Sequence, residues 1–265
     1  MRVKHIVTSG CSFSDRNIGT WPHHLINKID AVVHIDGLGS AGNSWIAKSA
    51  IHRAYLLLTS GVNPEDIIIM VMWSGIDRKD LFISSTGTPN YTDLISSMGS
   101  NPVNFIDQSE DVEYKSNRHD GYLVGTPHCY FANKHIQHVK QELAVHYFSD
   151  EAMAIESYEN FLRLQWFCES KNINLVNMTF KDLLKYPYTD PSGVLTKTTY
   201  RNISPLYDMI DFSKWLFWQG SLGLYEYTRD NKLEFQSDGQ HPAASSHLNY
   251  VDNVLMKYLI ERNLL

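Results

Sequence analysis

One short stretch constrains the fold of this chain more than any other. Residues 66–73 read DIIIMVMW and contain no polar side chain after the first aspartate. A strand in the middle of a parallel sheet is buried on both faces, so its sequence is an unbroken apolar run of this kind. The sequence therefore predicts a central strand over 66–73, in a sheet that is covered on both sides.

The rest of the chain alternates between short apolar runs and helical patterns. Three further runs are predicted strands: 4–9, 31–37 and 173–180. Apolar residues recur at helical spacing over three longer segments: 44–60, 151–171 and the C-terminal 243–261. Strands and helices that alternate in this way indicate a parallel sheet with helices on both faces. We therefore predict an α/β fold, a three-layer sandwich around a central parallel sheet.

The chain is long enough to bury one sizeable core, with 265 residues of which 43% are apolar. We expect a single domain over 1–265. Two stretches interrupt the alternation, at about 84–135 and 186–236. The first is dense in small polar residues, glycine and proline, and the second is rich in aromatic residues. Loops of this length are usually functional, and we predict ordered insertions at one end of the sheet.

Composition excludes several classes of protein. The formal net charge is -6 and no run of Lys or Arg occurs, which argues against a nucleic-acid partner. The three cysteines, Cys11, Cys129 and Cys168, lack zinc-site spacing and disulfide density, so a reducing compartment is expected. The N-terminus has no signal-peptide pattern, and no apolar run approaches the ~20 residues that span a bilayer. We expect a cytoplasmic protein without a membrane partner.

Segments that are candidates for a ligand-binding or active site follow three of the predicted strands. The turn GCSFSD occupies 10–15, GLGSAGNS occupies 37–44, and WSGIDR occupies 73–78. Ligands of an open parallel sheet bind outside the carboxyl ends of its strands, so these segments are expected at one edge. Glycines allow the backbone to approach a ligand closely, and free N–H groups at helix starts can hold an oxyanion.

The distant segment SDGQHP, at 237–242, supplies what a serine nucleophile in the first turn would need. A serine hydroxyl becomes reactive when an imidazole takes its proton, and a carboxylate usually holds that imidazole in one tautomer. Asp238 and His241 are three residues apart, so one turn of chain can bring them together. Helix capping is the alternative on the residues alone, both for this pair and for Ser12.

Taken in order, these segments resemble the motif blocks of the SGNH hydrolases, also called GDSL-like esterases and lipases. GCSF at 10–13 is similar to the first block, GLGSAGNS to the second, and DGQHP at 238–242 to the last. The resemblance runs from residue 10 to residue 242, and joint agreement in order and spacing is more specific than any one motif.

The resemblance implies a flavodoxin-like three-layer α/β fold and a function for each matched residue. Ser12 would be the nucleophile, His241 the general base and then acid, and Asp238 the residue that orients the imidazole. The backbone amides of Ser12 and Gly42 would stabilise the oxyanion. The resemblance implies no metal and no organic cofactor.

The third block departs from the family pattern. Family members have Gly-x-Asn-Asp there, with an asparagine that donates to the oxyanion, whereas this chain reads MWSGIDRKD. Ser74, the backbone of Gly75, or Asn43 beside Gly42 are candidate substitutes. Loss of one such donor costs a well-studied hydrolase about 10²–10³ in rate. A catalytically weak protein that keeps the fold for binding or structure is therefore one alternative function.

Other residues in these segments have competing interpretations. Cys11 could be a thiol nucleophile for the same histidine, but we expect its side chain to point into the sheet. Ser14 and Asp15 are predicted to be helix caps. The chain has 12 histidines, and none lies in a known zinc-helix pattern, so we expect no metal site.

The predicted function is that of a serine esterase. The substrate would be a small-molecule or glycan ester, with an O-acetyl group as one candidate, because the aromatic stretch 215–227 could bind sugar rings as well as pack in the core. An O-acyltransferase that uses the same acyl-enzyme is the alternative enzyme. The sequence does not specify the oligomeric state.

Overall fold

The computed structural model describes eight segments of the chain: 3–16, 19–39, 41–76, 78–83, 121–125, 150–189, 195–199 and 204–265. Cys129 and most of the predicted insertion at 84–135 lie outside the described residues.

The described residues form nine strands: β1 His5–Gly10, β2 Val32–Ile35, β3 Ile67–Trp73, β4 Lys79–Ile83, β5 Gly121–Gly125, β6 Asn174–Thr179, β7 Lys185–Thr189, β8 Leu195–Thr199 and β9 Trp215–Leu216. Their α-helices are α1 Trp21–Ile26, α2 Asn43–Thr59, α3 Asp150–Lys171, α4 Leu224–Asp230, α5 Ala244–Tyr250 and α6 Met256–Glu261. A π-helical turn, Val251–Leu255, joins α5 to α6, and a short 3-10 helix, Ser12–Ser14, follows β1. Further 3-10 turns occupy Pro64–Asp66, Pro205–Met209 and Phe212–Lys214.

The central sheet has five parallel strands in the order β2-β1-β3-β6-β9. Strand β3 lies at its centre, and every residue of β3 is buried. The predicted α/β fold with a central parallel sheet is therefore confirmed, and helices on both faces give the layers of a sandwich. The register pairs Gly10 of β1 with Met72 of β3, so these two strands end side by side at the same edge.

The two faces of the sheet build two apolar clusters, because successive side chains of a strand point to opposite sides. Helices α2 and α3 cover one face, where the residues of β3 are Ile67, Ile69, Val71 and Trp73. Helices α1, α4, α5 and α6 cover the other face, where the residues of β3 are Ile68, Met70 and Met72. Full burial of one such side chain contributes about 1.5–3 kcal/mol to stability.

Strand β9 differs from expectation, because it falls inside the segment 186–236 that was predicted as an insertion. Trp215 and Leu216 pair with Asn177 and Met178 of β6, which makes β9 the last strand of the central sheet. The rest of the described part of that segment includes the antiparallel pair β7–β8 and helix α4. A second antiparallel pair joins β4, which ends just before the other predicted insertion at 84–135, to β5, which lies within it.

None of the helices in the described part of the chain is both long enough and apolar enough to cross a membrane.

Candidate active site

The turn after β1 places the thiol of Cys11 and the hydroxyl of Ser12 in different environments. Cys11 is fully buried and belongs to the cluster on the α1 face of the sheet. Ser12 begins the 3-10 helix and is partly exposed. The side chain of Cys11 therefore packs in the core, while the hydroxyl of Ser12 can be reached from outside.

The N-cap positions of the 3-10 helix and of α1 belong to Cys11 and Thr20, so the predicted cap role of Ser14 is wrong, whereas Asp15 lies at the C-cap position of the 3-10 helix. The buried Ser14 Oγ accepts a hydrogen bond of 2.8 Å from the indole Nε1 of Trp21. Asp15 Oδ2 accepts one of 2.6 Å from the backbone N–H of Gly39. Both side chains hold the turn against its neighbours in the fold, a role that depends on tertiary contacts rather than on the local helix.

The imidazole of His241 joins Ser12 to Asp238. His241 Nε2 lies 2.8 Å from Ser12 Oγ, although the two residues are 229 positions apart in the chain. On the other side of the ring, His241 Nδ1 lies 2.5 Å from Asp238 Oδ2. The three side chains thus form a continuous hydrogen-bonded series at the carboxyl edge of the sheet.

The loop around Asp238 fixes both oxygens of its carboxylate. Oδ1 accepts hydrogen bonds from the backbone N–H groups of Gln240 at 2.9 Å and His241 at 3.0 Å, and Oδ2 faces the imidazole. These two backbone N–H groups, and then the imidazole, hold the pKa of Asp238 well below its usual range. A bridge between Phe235 and Pro242 closes the base of the loop.

This geometry selects one tautomer of His241. An ionised carboxylate has no proton to donate, so the proton of the Asp238–His241 bond is on Nδ1. Nε2 then carries a lone pair and accepts the hydroxyl proton of Ser12. This is the tautomer that a general base beside a serine requires.

An aromatic wall lies beside the imidazole. The ring of Phe13 is 5.2 Å from the ring of His241, and the ring of Phe180 is 5.0 Å from that of Phe13. The guanidinium of Arg78 lies over Phe180 at 5.7 Å, and its Nη1 is buried without a hydrogen-bond partner among the described residues. Phe13 itself is buried, so the partly exposed ring of Phe180 is the apolar surface that this wall offers to a substrate, with the guanidinium of Arg78 beside it.

The backbone N–H of Gly42 already donates a hydrogen bond within the protein. It donates to Asp80 Oδ1 at 2.8 Å, and the N–H of Trp45 donates to Asp80 Oδ2 at 2.6 Å. The buried carboxylate of Asp80 therefore caps the amino end of α2, where the resemblance had suggested an open oxyanion donor. Sequence reasoning missed this role, because it depends on where β4 lies in the fold.

Asn43 and Ser74 form a second buried network. Asn43 Oδ1 accepts from the N–H of Ser74 at 2.9 Å, and Asn43 Nδ2 donates to Ser74 O at 3.3 Å and to Ser157 Oγ at 3.0 Å. Ser74 Oγ is buried and has no hydrogen-bond partner among the described residues. Of the donors suggested for an oxyanion hole, the N–H of Ser12, the N–H of Gly75 and Ser74 Oγ form no hydrogen bond to another described residue. The first N–H groups of a helix, such as that of Ser12, lack an intrahelical acceptor.

Burial of Asp80 makes stability depend on pH. Desolvation is the main cause that raises the pKa of Asp80 from 3.8 to about 6, opposed by the N–H groups of Trp45 and Gly42. The folded state then holds this proton more tightly than the unfolded chain, so the contribution is fully present below pH 3.8 and is lost as pH rises through about 6. The total change is on the order of 3 kcal/mol.

We expect the variant Asp80→Asn to lose this dependence, because its amide does not ionise. Urea unfolding at pH 4 and at pH 7 should show the wild type losing about 2 kcal/mol more than the variant between the two values, because the unfolded carboxyl is already partly ionised at pH 4. Parallel pH profiles for the two proteins would contradict the buried, protonatable carboxylate.

Comparison with known proteins gives the chain no family: no protein-family model matches it, and no curated protein matches it. Within the described residues, no group of three or more His, Cys, Asp and Glu side chains is arranged to hold a metal ion.

Proposed function

We propose that this protein is a serine ester hydrolase of the SGNH type, which cleaves an acyl ester through an acyl-enzyme. One observation carries the proposal: Ser12 Oγ is 2.8 Å from His241 Nε2, and His241 Nδ1 is 2.5 Å from Asp238 Oδ2. Nucleophile, base and orienting carboxylate within hydrogen-bond reach of one another are the signature of an activated serine.

The reaction follows from the tautomer of His241. Ser12 Oγ attacks the ester carbonyl carbon while Nε2 takes the hydroxyl proton, and Asp238 stabilises the imidazolium that forms. The tetrahedral intermediate collapses when Nε2 gives this proton to the leaving alkoxide, which departs as the alcohol. A water molecule then attacks the acyl-enzyme with its proton passing to Nε2, and release of the carboxylic acid returns the hydroxyl proton to Ser12.

Two of the donors suggested for the oxyanion are occupied. The N–H of Ser12 is a suitable donor, but the N–H of Gly42 donates to Asp80, and Asn43 Nδ2 donates to Ser74 O and Ser157 Oγ. A preorganised donor typically contributes about 10²–10³ in rate. We therefore propose modest turnover, and these occupied donors favour a weakly catalytic binding protein as the second candidate function.

Hydrolysis is favoured over acyl transfer by exposure of the site. The side chain of Asp238 is 46% exposed and that of His241 is 32% exposed, so water has ready access to the base. Acyl transfer to an alcohol needs a site that excludes competing water. The partly exposed ring of Phe180 suits an uncharged acyl or alcohol group, which agrees with a small-molecule or glycan ester as the substrate.

A reducing, cytoplasmic setting is part of the same proposal. Of the described cysteines, Cys11 and Cys168 are both free and buried. Burial raises the pKa of the Cys168 thiol to about 12, which keeps it protonated and unreactive.

A panel of esters tests the proposal. The purified protein is assayed against p-nitrophenyl acetate, longer p-nitrophenyl esters and acetylated oligosaccharides, with Ser12→Ala as the matched blank. Turnover that Ser12→Ala lacks supports the esterase. Equal rates for both proteins on every ester would leave the weakly catalytic binding protein as the better account.

The variant Asp238→Asn should reverse the tautomer of His241. The oxygen of the new amide can accept the two backbone N–H groups, which leaves the amide nitrogen facing Nδ1. The imidazole then carries its proton on Nε2 and cannot accept one from Ser12, so kcat should fall by about 10²-fold or more. A rate within twofold of wild type would contradict the orienting role.

A further inference from the structure

A second concave site lies between α4 and the C-terminal helices. It is an open pocket at the protein surface with a volume of about 410 Å³, within the size range of small-molecule sites. Its principal lining residues are Trp218, Tyr227, Asn231, Asn249, Asn253 and Lys257. We call it the α4–α5 cavity. Helix α5 rises ~10 Å over its length, so Asn249 near its end is well separated from the catalytic loop that precedes the helix.

Two aromatic rings form one corner of the α4–α5 cavity. The ring of Trp218 lies 4.8 Å from that of Tyr227, and the two planes are 89° apart. Tyr227 is buried and packs in turn against Tyr250, whereas Trp218 is partly exposed. The corner is therefore rigid at its base, and Trp218 gives it an accessible apolar surface.

A network of amide side chains lies beside these rings. The hydroxyl of Tyr227 donates to Asn249 Oδ1. Asn253 Nδ2 donates to Asn249 O at 3.1 Å and to Asn249 Oδ1 at 3.3 Å, and Asn231 Nδ2 donates to Tyr227 O at 2.8 Å. The amides are thus held in fixed orientations.

Several polar groups of the network remain available to a ligand. Asn249 Nδ2, Asn253 Oδ1 and Asn231 Oδ1 form no hydrogen bond to another described residue, and Lys257 forms no ion pair with one. They provide donors and acceptors together, with one cation at the rim and no acidic group in the lining. Such a set matches a ligand that is covered in hydroxyl groups.

The helix itself is altered at this cavity. Asn253 lies within the π-helical turn Val251–Leu255, which interrupts the regular geometry between Asn249 and Lys257. Single π-turns are rare in helices and are frequent at functional sites. This turn places Asn253 in the lining of the cavity by backbone geometry that differs from that of the rest of the helix.

We propose that the α4–α5 cavity binds a pyranose ring of a neutral glycan. A pyranose has an apolar C–H face, which would pack on Trp218, and a rim of hydroxyls, which would bond to Asn231, Asn249 and Asn253. A phosphorylated ligand would call for more than the single cation of Lys257. The site does not use Ser12, so it would act whether or not the protein hydrolyses esters.

Titration with four neutral oligosaccharides tests this proposal. Cellohexaose, xylohexaose, mannohexaose and chitohexaose are each added to the full-length protein at up to millimolar concentrations, with tryptophan fluorescence and saturation-transfer NMR as readouts. We expect at least one of them to bind, and Asn253→Ala and Lys257→Ala each to weaken its binding by about threefold to tenfold, the equivalent of one lost hydrogen bond. Both residues are exposed, so the variants should fold normally.

Two control variants make the result decisive. Lys171→Ala removes an exposed lysine at the end of α3, on the opposite face of the sheet, and should bind as wild type does. Ser12→Ala should also bind normally, which separates failure of this site from failure of the esterase. The proposal would be overturned if none of the four sugars bound, or if the protein bound adenosine in place of the sugars. It would also be overturned if the Asn253 and Lys257 variants bound the sugar with the affinity of the wild type.

Discussion

Replacing Ser12 with alanine should lower kcat/KM for ester hydrolysis by about 10⁴-fold or more, because the variant has no oxygen to attack the carbonyl. His241→Ala should cause a loss of similar size, since an unassisted serine hydroxyl is a weak nucleophile. The double variant should be no worse than either single one, because nucleophile and base act as a unit. Steady-state kinetics on one p-nitrophenyl ester measures all three.

Cys11→Ala is the matched control for this series. Its side chain is fully buried in the core, one residue before Ser12, so the rate per folded molecule should change little. If Ser12→Ala were active and Cys11→Ala were inactive, the nucleophile would be the thiol of Cys11 and not the hydroxyl of Ser12. Activity in all of these variants would mean that the fold serves another chemistry.

Gly37→Ala should be the most damaging substitution outside the catalytic residues. A Cβ atom at this position would lie 1.9 Å from the backbone oxygen of Ser14, and Gly37 also bridges to Asp15. The clash is with backbone, so the turn that carries Ser12 must move. We expect a loss of about 3 kcal/mol in unfolding free energy, and a loss of activity per folded molecule, from urea titration and kinetics.

Gly61→Ala provides the comparison for Gly37→Ala. Gly61 has φ +92 and open space around its Cβ position, so the variant is strained locally without displacing a neighbour. It should lose about 1–2 kcal/mol and keep its activity per folded molecule. If Gly37→Ala behaved in the same way, the contact with Ser14 would not position the turn.

The sequence predicted the strands and helices well where their burial produces a strong pattern of apolar residues. The strand expected at 66–73 is Ile67–Trp73, and the helix expected at 151–171 is Asp150–Lys171. The short strand Trp215–Leu216 was missed. Two residues are too few for any periodicity, and their membership of the sheet is decided by pairing with Asn177 and Met178.

In the candidate site too, the local sequence predicted some features, whereas others depend on tertiary packing. Its motifs led to Ser12, Asp238 and His241, which lie in hydrogen-bond contact. They did not reveal that Asp80 takes the N–H of Gly42, because that contact depends on how strand β4 meets the start of α2. Short motifs encode the chemical groups, whereas the partners of each group depend on the packing of distant segments.

Covalent labelling tests the central claim most directly. The protein is treated with a fluorophosphonate, which transfers its phosphonyl group to the oxygen of an activated serine and releases fluoride, and the modified residue is found by peptide mass spectrometry. We predict one adduct, on Ser12, that is absent from His241→Ala because the hydroxyl is no longer activated. An adduct on another residue, or ester turnover with Ser12 unmodified, would contradict the account.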